Sequence, residues 1–227
     1  VFAREITRFL IRAGAKTLVV ACNTASGAAL QMLRRDFPDI QFVGMEPAVK
    51  PAVEQTATDA IGVIATSTTF QGTLFRRLAT RFGKHVEIHT QVCSGLVEAV
   101  ESGALDEPQS EALVRSCVEP LLDHHIDQLV LGCTHYPFLL PILTRVVGER
   151  VQLIDPAPAV ARQVRRVLEV EGILNKQTSP GCHTFYTTGS IEKFQSMVAL
   201  LISPPAPQIH KAEWNNLGIQ ANAENGD

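Results

Sequence analysis

Twice in this chain a short apolar run stops at a small residue followed by a cysteine and hydrogen-bonding side chains. Leu18 to Ser26 reads Leu-Val-Val-Ala-Cys-Asn-Thr-Ala-Ser, and Leu129 to Pro137 reads Leu-Val-Leu-Gly-Cys-Thr-His-Tyr-Pro. A short continuous apolar run, apolar on both faces, is the pattern of a strand buried on both sides, and strands of that kind belong to parallel sheets covered by helices. Parallel strands in turn need long crossover connections, usually helical. The feature therefore points to an alternating α/β chain and away from hairpin-built architectures. It also places chemistry where strands end.

The rest of the chain follows the same alternation. Helical spacing of Phe2, Ile6, Phe9, Leu10 and Ala13 predicts an opening helix ended by Gly14. Strands are expected at 18–21, 42–45, 60–65, 86–92, 129–131, 151–154 and 184–186, with helices at 25–35, 96–101, 108–123, 157–170 and 192–201. A hydroxyl cluster, Thr66-Ser67-Thr68-Thr69, precedes a helix carrying Arg76, Arg77 and Arg81, and Asp155 is placed to cap the helix that comes after it. The expected fold is α/β, with two similar lobes, each a mainly parallel sheet flanked by helices, and the active site in the cleft between them. In such folds ligands bind beyond the carboxyl ends of the strands, where Cys22, Thr66–Thr69, Cys133 and Asp155 all fall. One lobe is expected from residues 1–45 with 156–203 and the other from 46–155. The proline-rich and polar stretch 204–227 reads as a flexible tail.

Composition narrows the partners. With 227 residues, 45% of them hydrophobic, the chain can bury a large core as one big domain or two small ones. A formal charge of −3 offers no basic field for a phosphate backbone, so nucleic acid is not an expected partner. Neither a spanning apolar run nor a signal-peptide layout is present, so membrane is excluded and a cytoplasmic setting expected. The five cysteines are odd in number and scattered, with no Cys-x-x-Cys pair, so neither a disulfide framework nor a metal site is expected. His85 and His89 lie too far apart along one strand to share a metal. Cys93, Cys117 and Cys182 read as inert core residues, and His124, His125 and His183 as surface or structural ones.

Cys22 and Cys133 read differently, because Asn-Thr and Thr-His come directly after them, polar groups that a packing position would not readily satisfy. A thiol between a strand and a helix meets free N–H groups and the positive end of the helix dipole, which favour the thiolate. One such thiol suggests a nucleophile with His135 as base. Two on opposite walls can serve one carbon, one removing a proton and the other delivering one from the far face, which inverts a stereocentre.

Ala21-Cys22-Asn23-Thr24-Ala25-Ser26 and Leu131-Gly132-Cys133-Thr134-His135-Tyr136-Pro137 resemble the two signature motifs of bacterial glutamate racemases, in the same order and about half the chain apart. Glu46-Pro47-Ala48, Lys50-Pro51-Ala52, Val100-Glu101-Ser102-Gly103 and Phe185-Tyr186-Thr187-Thr188-Gly189 extend the similarity through Leu201. The resemblance implies an isomerase that supplies D-glutamate for peptidoglycan, and so for cell wall and cell shape, without pyridoxal phosphate or any other cofactor and without metal. It implies that Cys22 and Cys133 handle the α-proton on opposite faces, that His135 assists Cys133, and that Glu101, with Glu98 as its neighbouring alternative, supports the chemistry. Asn23, Thr24, Thr69 and Thr134 would hold the substrate. The partner is a small molecule, glutamate, and homodimer formation is left open.

One departure bears on activity. Glutamate racemases carry an Asp-Ser-Gly motif upstream of the first cysteine and a later Pro-Tyr-Gly segment, and neither is present here. On this reading the chain lacks its first strands, the 18–21 strand lacks a neighbour, and the 227-residue chain is expected to be a poor catalyst. The alternatives are a racemase of aspartate or another amino acid in the same superfamily, against which His135 argues, and a binding protein that keeps the cleft without turnover.

Overall fold

A computed structural model describes residues 1–177, 179, 181–216 and 218–221. In chain order the elements are α1 (Phe2–Arg12), β1 (Thr17–Val20), α2 (Asn23–Asp36), β2 (Gln41–Gly44), α3 (Val49–Gln55), β3 (Ala60–Ala65), α4 (Ser67–Gln71), α5 (Thr73–Phe82), β4 (Glu87–Val92) and α6 (Leu96–Ser102). Then come α7 (Pro108–Leu122), β5 (Gln128–Leu131), a 3-10 turn at Tyr136–Leu139, α8 (Leu140–Val147), β6 (Gln152–Ile154), α9 (Ala157–Val170), β7 (Thr184–Thr187), α10 (Ile191–Leu201), β8 (Gln208–Asn215) and β9 (Gly218–Ala221). The chain divides into two compact units, Thr17–Gly172 and Val1–Lys16 with Ile173–Asp227.

The contiguous unit holds two parallel sheets, β1-β2 and β4-β3-β5-β6. Ala-Ile-Gly-Val-Ile-Ala in β3 and Gln-Leu-Val-Leu in β5 are buried along their whole length, as befits the two interior strands. Edge strand β4, by contrast, mixes exposed and half-buried positions. Ile61, Val63 and Val130 from these strands pack with Val49, Ala52, Phe75, Leu78 and Val86. Each large aliphatic side chain buried in this way contributes about 1.5–3 kcal/mol. Helix α6 is fixed at both ends by glycines in the left-handed region, Gly95 at φ 84° and Gly103 at φ 83°, which a side chain would disfavour. Asp155 accepts the Ala157 N–H at 2.8 Å, capping α9.

The expected lobe boundary at residue 45 falls between the two sheets, whereas compactness groups both sheets, together with α9, in Thr17–Gly172. Strand β1, expected in a sheet interior, pairs with β2 alone among the described strands, and Val19 is 41% exposed.

In the discontinuous unit β7 and β8 pair parallel, and β8 and β9 antiparallel. Phe9 of α1 is buried with Ala212 and Ile219, Tyr186 meets Phe9 edge-on at 4.9 Å, and the Arg12 guanidinium donates to the Ile219 carbonyl at 3.1 Å. This corrects the expectation of a flexible tail from 204: residues 208–215 and 218–221 are strands, while 222–227 lie outside the described residues. A second correction concerns cysteine. Cys93 and Cys117, both buried, are joined by a disulfide with Cα atoms 5.4 Å apart, because the end of β4 lies against α7. Cys182 is exposed and not a core residue.

Candidate active site

Cys22 and Cys133 occupy equivalent local positions, each two residues beyond the end of a buried or half-buried parallel strand. Cys22 is the N-cap of α2, in extended conformation at φ −152° and ψ 125°, and its Sγ accepts the Ala25 N–H at 3.5 Å. The thiol thus sits on the positive end of the helix. Ser26, one turn in and buried, donates to the Val20 carbonyl and accepts the Met45 N–H, both at 2.9 Å. Those two bonds pin the start of α2 to the ends of β1 and β2. Cys22 itself is exposed.

On the other side, β5 ends against β3. The Gly132 N–H donates to the Ile64 carbonyl at 2.7 Å, and a Cβ at Gly132 would lie 2.7 Å from that same oxygen and 2.8 Å from the Ala65 Cβ. Only glycine fits. Cys133 comes next, half-buried, with its Sγ 3.8 Å from His135 Nδ1, and His135 Nε2 lies 2.7 Å from Glu101 Oε1 on α6. Of the two candidate acids, Glu101 is therefore the one that meets the histidine. The hydrogen bond to Cys133 and then that to Glu101 outweigh burial and push His135 up to about 9. Near neutral pH its ring is an imidazolium, with one N–H toward the sulfur and the other toward the carboxylate. The next residue, Tyr136, is fully buried; its hydroxyl donates to the Cys93 carbonyl at 3.3 Å, and burial pushes it above the ordinary phenol range.

The polar residues between the cysteines form ties. Asn23, 4% exposed, donates through Nδ2 to the Gly132 carbonyl at 2.8 Å, while its Oδ1 is buried without a partner. Thr24 Oγ1 lies 2.9 Å from Thr69 Oγ1 and 3.3 Å from Thr66 Oγ1, and the latter two are 3.0 Å apart. Three hydroxyls so arranged can turn their protons toward an anion. Thr66 joins this hydroxyl cluster, although the sequence pointed to Thr69 alone; the run Thr66–Thr69 was the available signal. Thr134 is half-buried between Cys133 and His135. A cavity of about 310 Å³ opens beside Asn23, Thr24, Thr68 and Thr69, a volume suited to a small ligand. A larger cleft of about 770 Å³, lined by Arg34, Lys50, Arg77 and Arg162 with Glu46 and Asp155, includes neither cysteine.

Two strand-end thiols, one on a helix N-terminus and one on a histidine–carboxylate pair, define an α/β protein equipped to move protons. The profile of the family described as Asp/Glu/Hydantoin racemase matches residues 2–164, and the chain belongs to that family. The glutamate racemase of Roseiflexus sp. (strain RS-1) is 47% identical over 203 residues, covering 89% of this chain and 75% of the relative. The crystal structure of glutamate racemase isoform RacE1 from Bacillus anthracis superposes with a TM-score of 0.83 at 31% identity, covering 93% of this chain and 79% of that one. Escherichia coli glutamate racemase, in complex with L-glutamate and the activator UDP-MurNAc-ala, gives a TM-score of 0.77 at 28% identity, with 93% and 82% covered.

Proposed function

We infer that the protein is an isomerase that interconverts L- and D-glutamate, working in the cytoplasm to supply D-glutamate for peptidoglycan. The observation that carries this reading is the hydrogen bond from Asn23 to Gly132, which joins the loops bearing Cys22 and Cys133. Relatives bearing the name glutamate racemase, at 47% identity and below, support the substrate.

Racemisation requires removal of a weakly acidic α-proton from one face and delivery of a proton to the other. In this reading one cysteine, as thiolate, takes the proton while the other, as thiol, gives one; the reverse reaction exchanges their roles. The His135 imidazolium sets positive charge beside the Cys133 sulfur, and Glu101 orients the ring. Negative charge grows on the substrate carboxylate as the C–H bond breaks, and hydroxyls of Thr24, Thr66 and Thr69, with that of Thr134, are available to take it up. Both proton transfers use side chains of this chain.

The test monitors the circular dichroism of L-glutamate in the presence of the purified protein, with deuterium wash-in at the α-carbon measured in parallel by NMR. Loss of optical activity with wash-in is expected, unchanged by pyridoxal phosphate or a chelator. Binding without wash-in would identify a binding protein instead.

A further inference from the structure

We propose that Asn23 is a positioning residue that sets the separation of the two thiols, and so decides whether a proton removed from the substrate is returned to the same face or replaced on the opposite one. This role rests on the two-thiol racemisation proposed above. Each cysteine loop is stiff within its own sheet. Cys22 is held by the Ser26 bonds to Val20 and Met45, and Cys133 comes after a glycine wedged against Ile64 and Ala65. The Thr24 hydroxyl reaches Thr66 and Thr69 at the end of β3, which does not fix the Cys133 loop directly. Asn23 does: its neighbour in sequence is Cys22, and its amide donates at 2.8 Å to the carbonyl that immediately precedes Cys133.

The amide orientation is itself fixed. A flipped Asn23 would set its oxygen against the Gly132 carbonyl, so Nδ2 must face Gly132 even though Oδ1 is left buried and unpaired. A buried amide half-satisfied in this way is spent on the cross-loop bond rather than on its own hydrogen-bond balance. Two-sided proton transfer needs both sulfurs at in-line distance from one carbon, whereas one-sided transfer needs one alone. Displacement by about 1 Å can cost 100-fold in rate. Loosening the tie should therefore damage inversion far more than exchange. In exchange with retention, a thiolate takes the α-proton, the resulting S–H trades with solvent deuterium, and the deuteron returns to the same face of the carbanion.

The experiment compares wild type with Asn23→Asp, which keeps the shape and removes the donor, and Asn23→Ser, which removes the reach without adding charge. Folding of both is checked by circular dichroism and thermal melting. In D2O, the α-deuterated product of each enantiomer is resolved by chiral chromatography with mass detection. Inversion is expected to fall about 100-fold, mainly in kcat, while exchange with retention falls less than 10-fold, so that their ratio rises at least 10-fold. A raised KM with the wild-type ratio would make Asn23 a substrate ligand only. An unchanged ratio with a lowered melting temperature would make it a structural residue only. Either result overturns the proposal. Absence of any racemisation in the wild type would instead overturn the function on which it rests.

Discussion

The loops around Cys22 and Cys133 begin from the same local design and end in different environments. Both cysteines lie two residues past a parallel strand, yet Cys22 is exposed and meets a backbone N–H, whereas Cys133 is half-buried and meets a side-chain imidazolium backed by a carboxylate. The difference originates in the backbone on the carboxyl side of each cysteine. After Cys22 a regular helix starts at once, so the local dipole supplies the positive charge. After Cys133 a 3-10 turn begins only at Tyr136 and α8 only at Leu140, so no helix starts at the cysteine itself, and His135 brings a full charge beside the sulfur. One fold element thus gives two cysteines positive surroundings by two electrostatic routes.

The most severe way to break that equivalence is to remove the sulfurs one at a time. Cys22→Ser and Cys133→Ser should each lower racemisation about 1,000-fold or more, because a hydroxyl is too weak a base for either transfer. Wash-in should persist from one enantiomer only, and from opposite enantiomers in the two variants. A variant racemising at the wild-type rate would remove its cysteine from the chemistry.

A milder change sharpens the electrostatic contrast. His135→Asn should cost about 100-fold in rate while leaving the Cys22 side intact. Because the folded-state value is raised from 6.5 to about 9, the stability contributed by protonated His135 is fully present below pH 6.5 and lost as pH rises through about 9. The difference in melting temperature between wild type and His135→Asn should accordingly be largest below pH 6.5 and vanish above pH 9. Glu101→Gln should lose less rate, since the Glu101 side chain is 58% exposed and screened, and NMR titration should show His135 falling back toward 6.5.

The smallest effects should come from the supports beneath each loop. Ser26→Ala leaves both the Val20 carbonyl and the Met45 N–H unpaired and should destabilise by about 2 kcal/mol, whereas Tyr136→Phe loses one long bond to Cys93 and should cost about 1 kcal/mol. Urea denaturation monitored by fluorescence measures both. Equal losses would mean that the two loops are braced alike.

The parts of the molecule legible in the sequence were local. The apolar runs of β3 and β5 announced buried parallel strands, and α9 was legible residue for residue from its periodicity and the Asp155 cap. The cysteines stood out because a strand-end motif recurred. Other features depend on partners far away in the chain. Gln208–Asn215 shows little alternation, and Ala212 finds cover only when Phe9 and Ile219 are beside it. The choice of Glu101 over Glu98 depends on how α6 lies against the His135 turn, and the Asn23 tie exists only once β5 has brought Gly132 to the end of β3. The pairing of Cys93 with Cys117 likewise arises from β4 meeting α7.

The bond from Arg12 to Ile219 closes a loop of 207 residues, and that loop contains the whole of Thr17–Gly172. On a chain emerging from the ribosome, α1 is made before that entire unit and its packing partners are made after it. Throughout that stretch of synthesis its apolar face has to stay unclaimed, while the contiguous unit collapses around neighbours already at hand. Loop-closure entropy grows only with the logarithm of loop length, about 0.6 kcal/mol per doubling, so the delay weighs on the rate of folding more than on final stability. The interval in which Phe9 and Leu10 wait uncovered is when a chaperone has most to do for this chain.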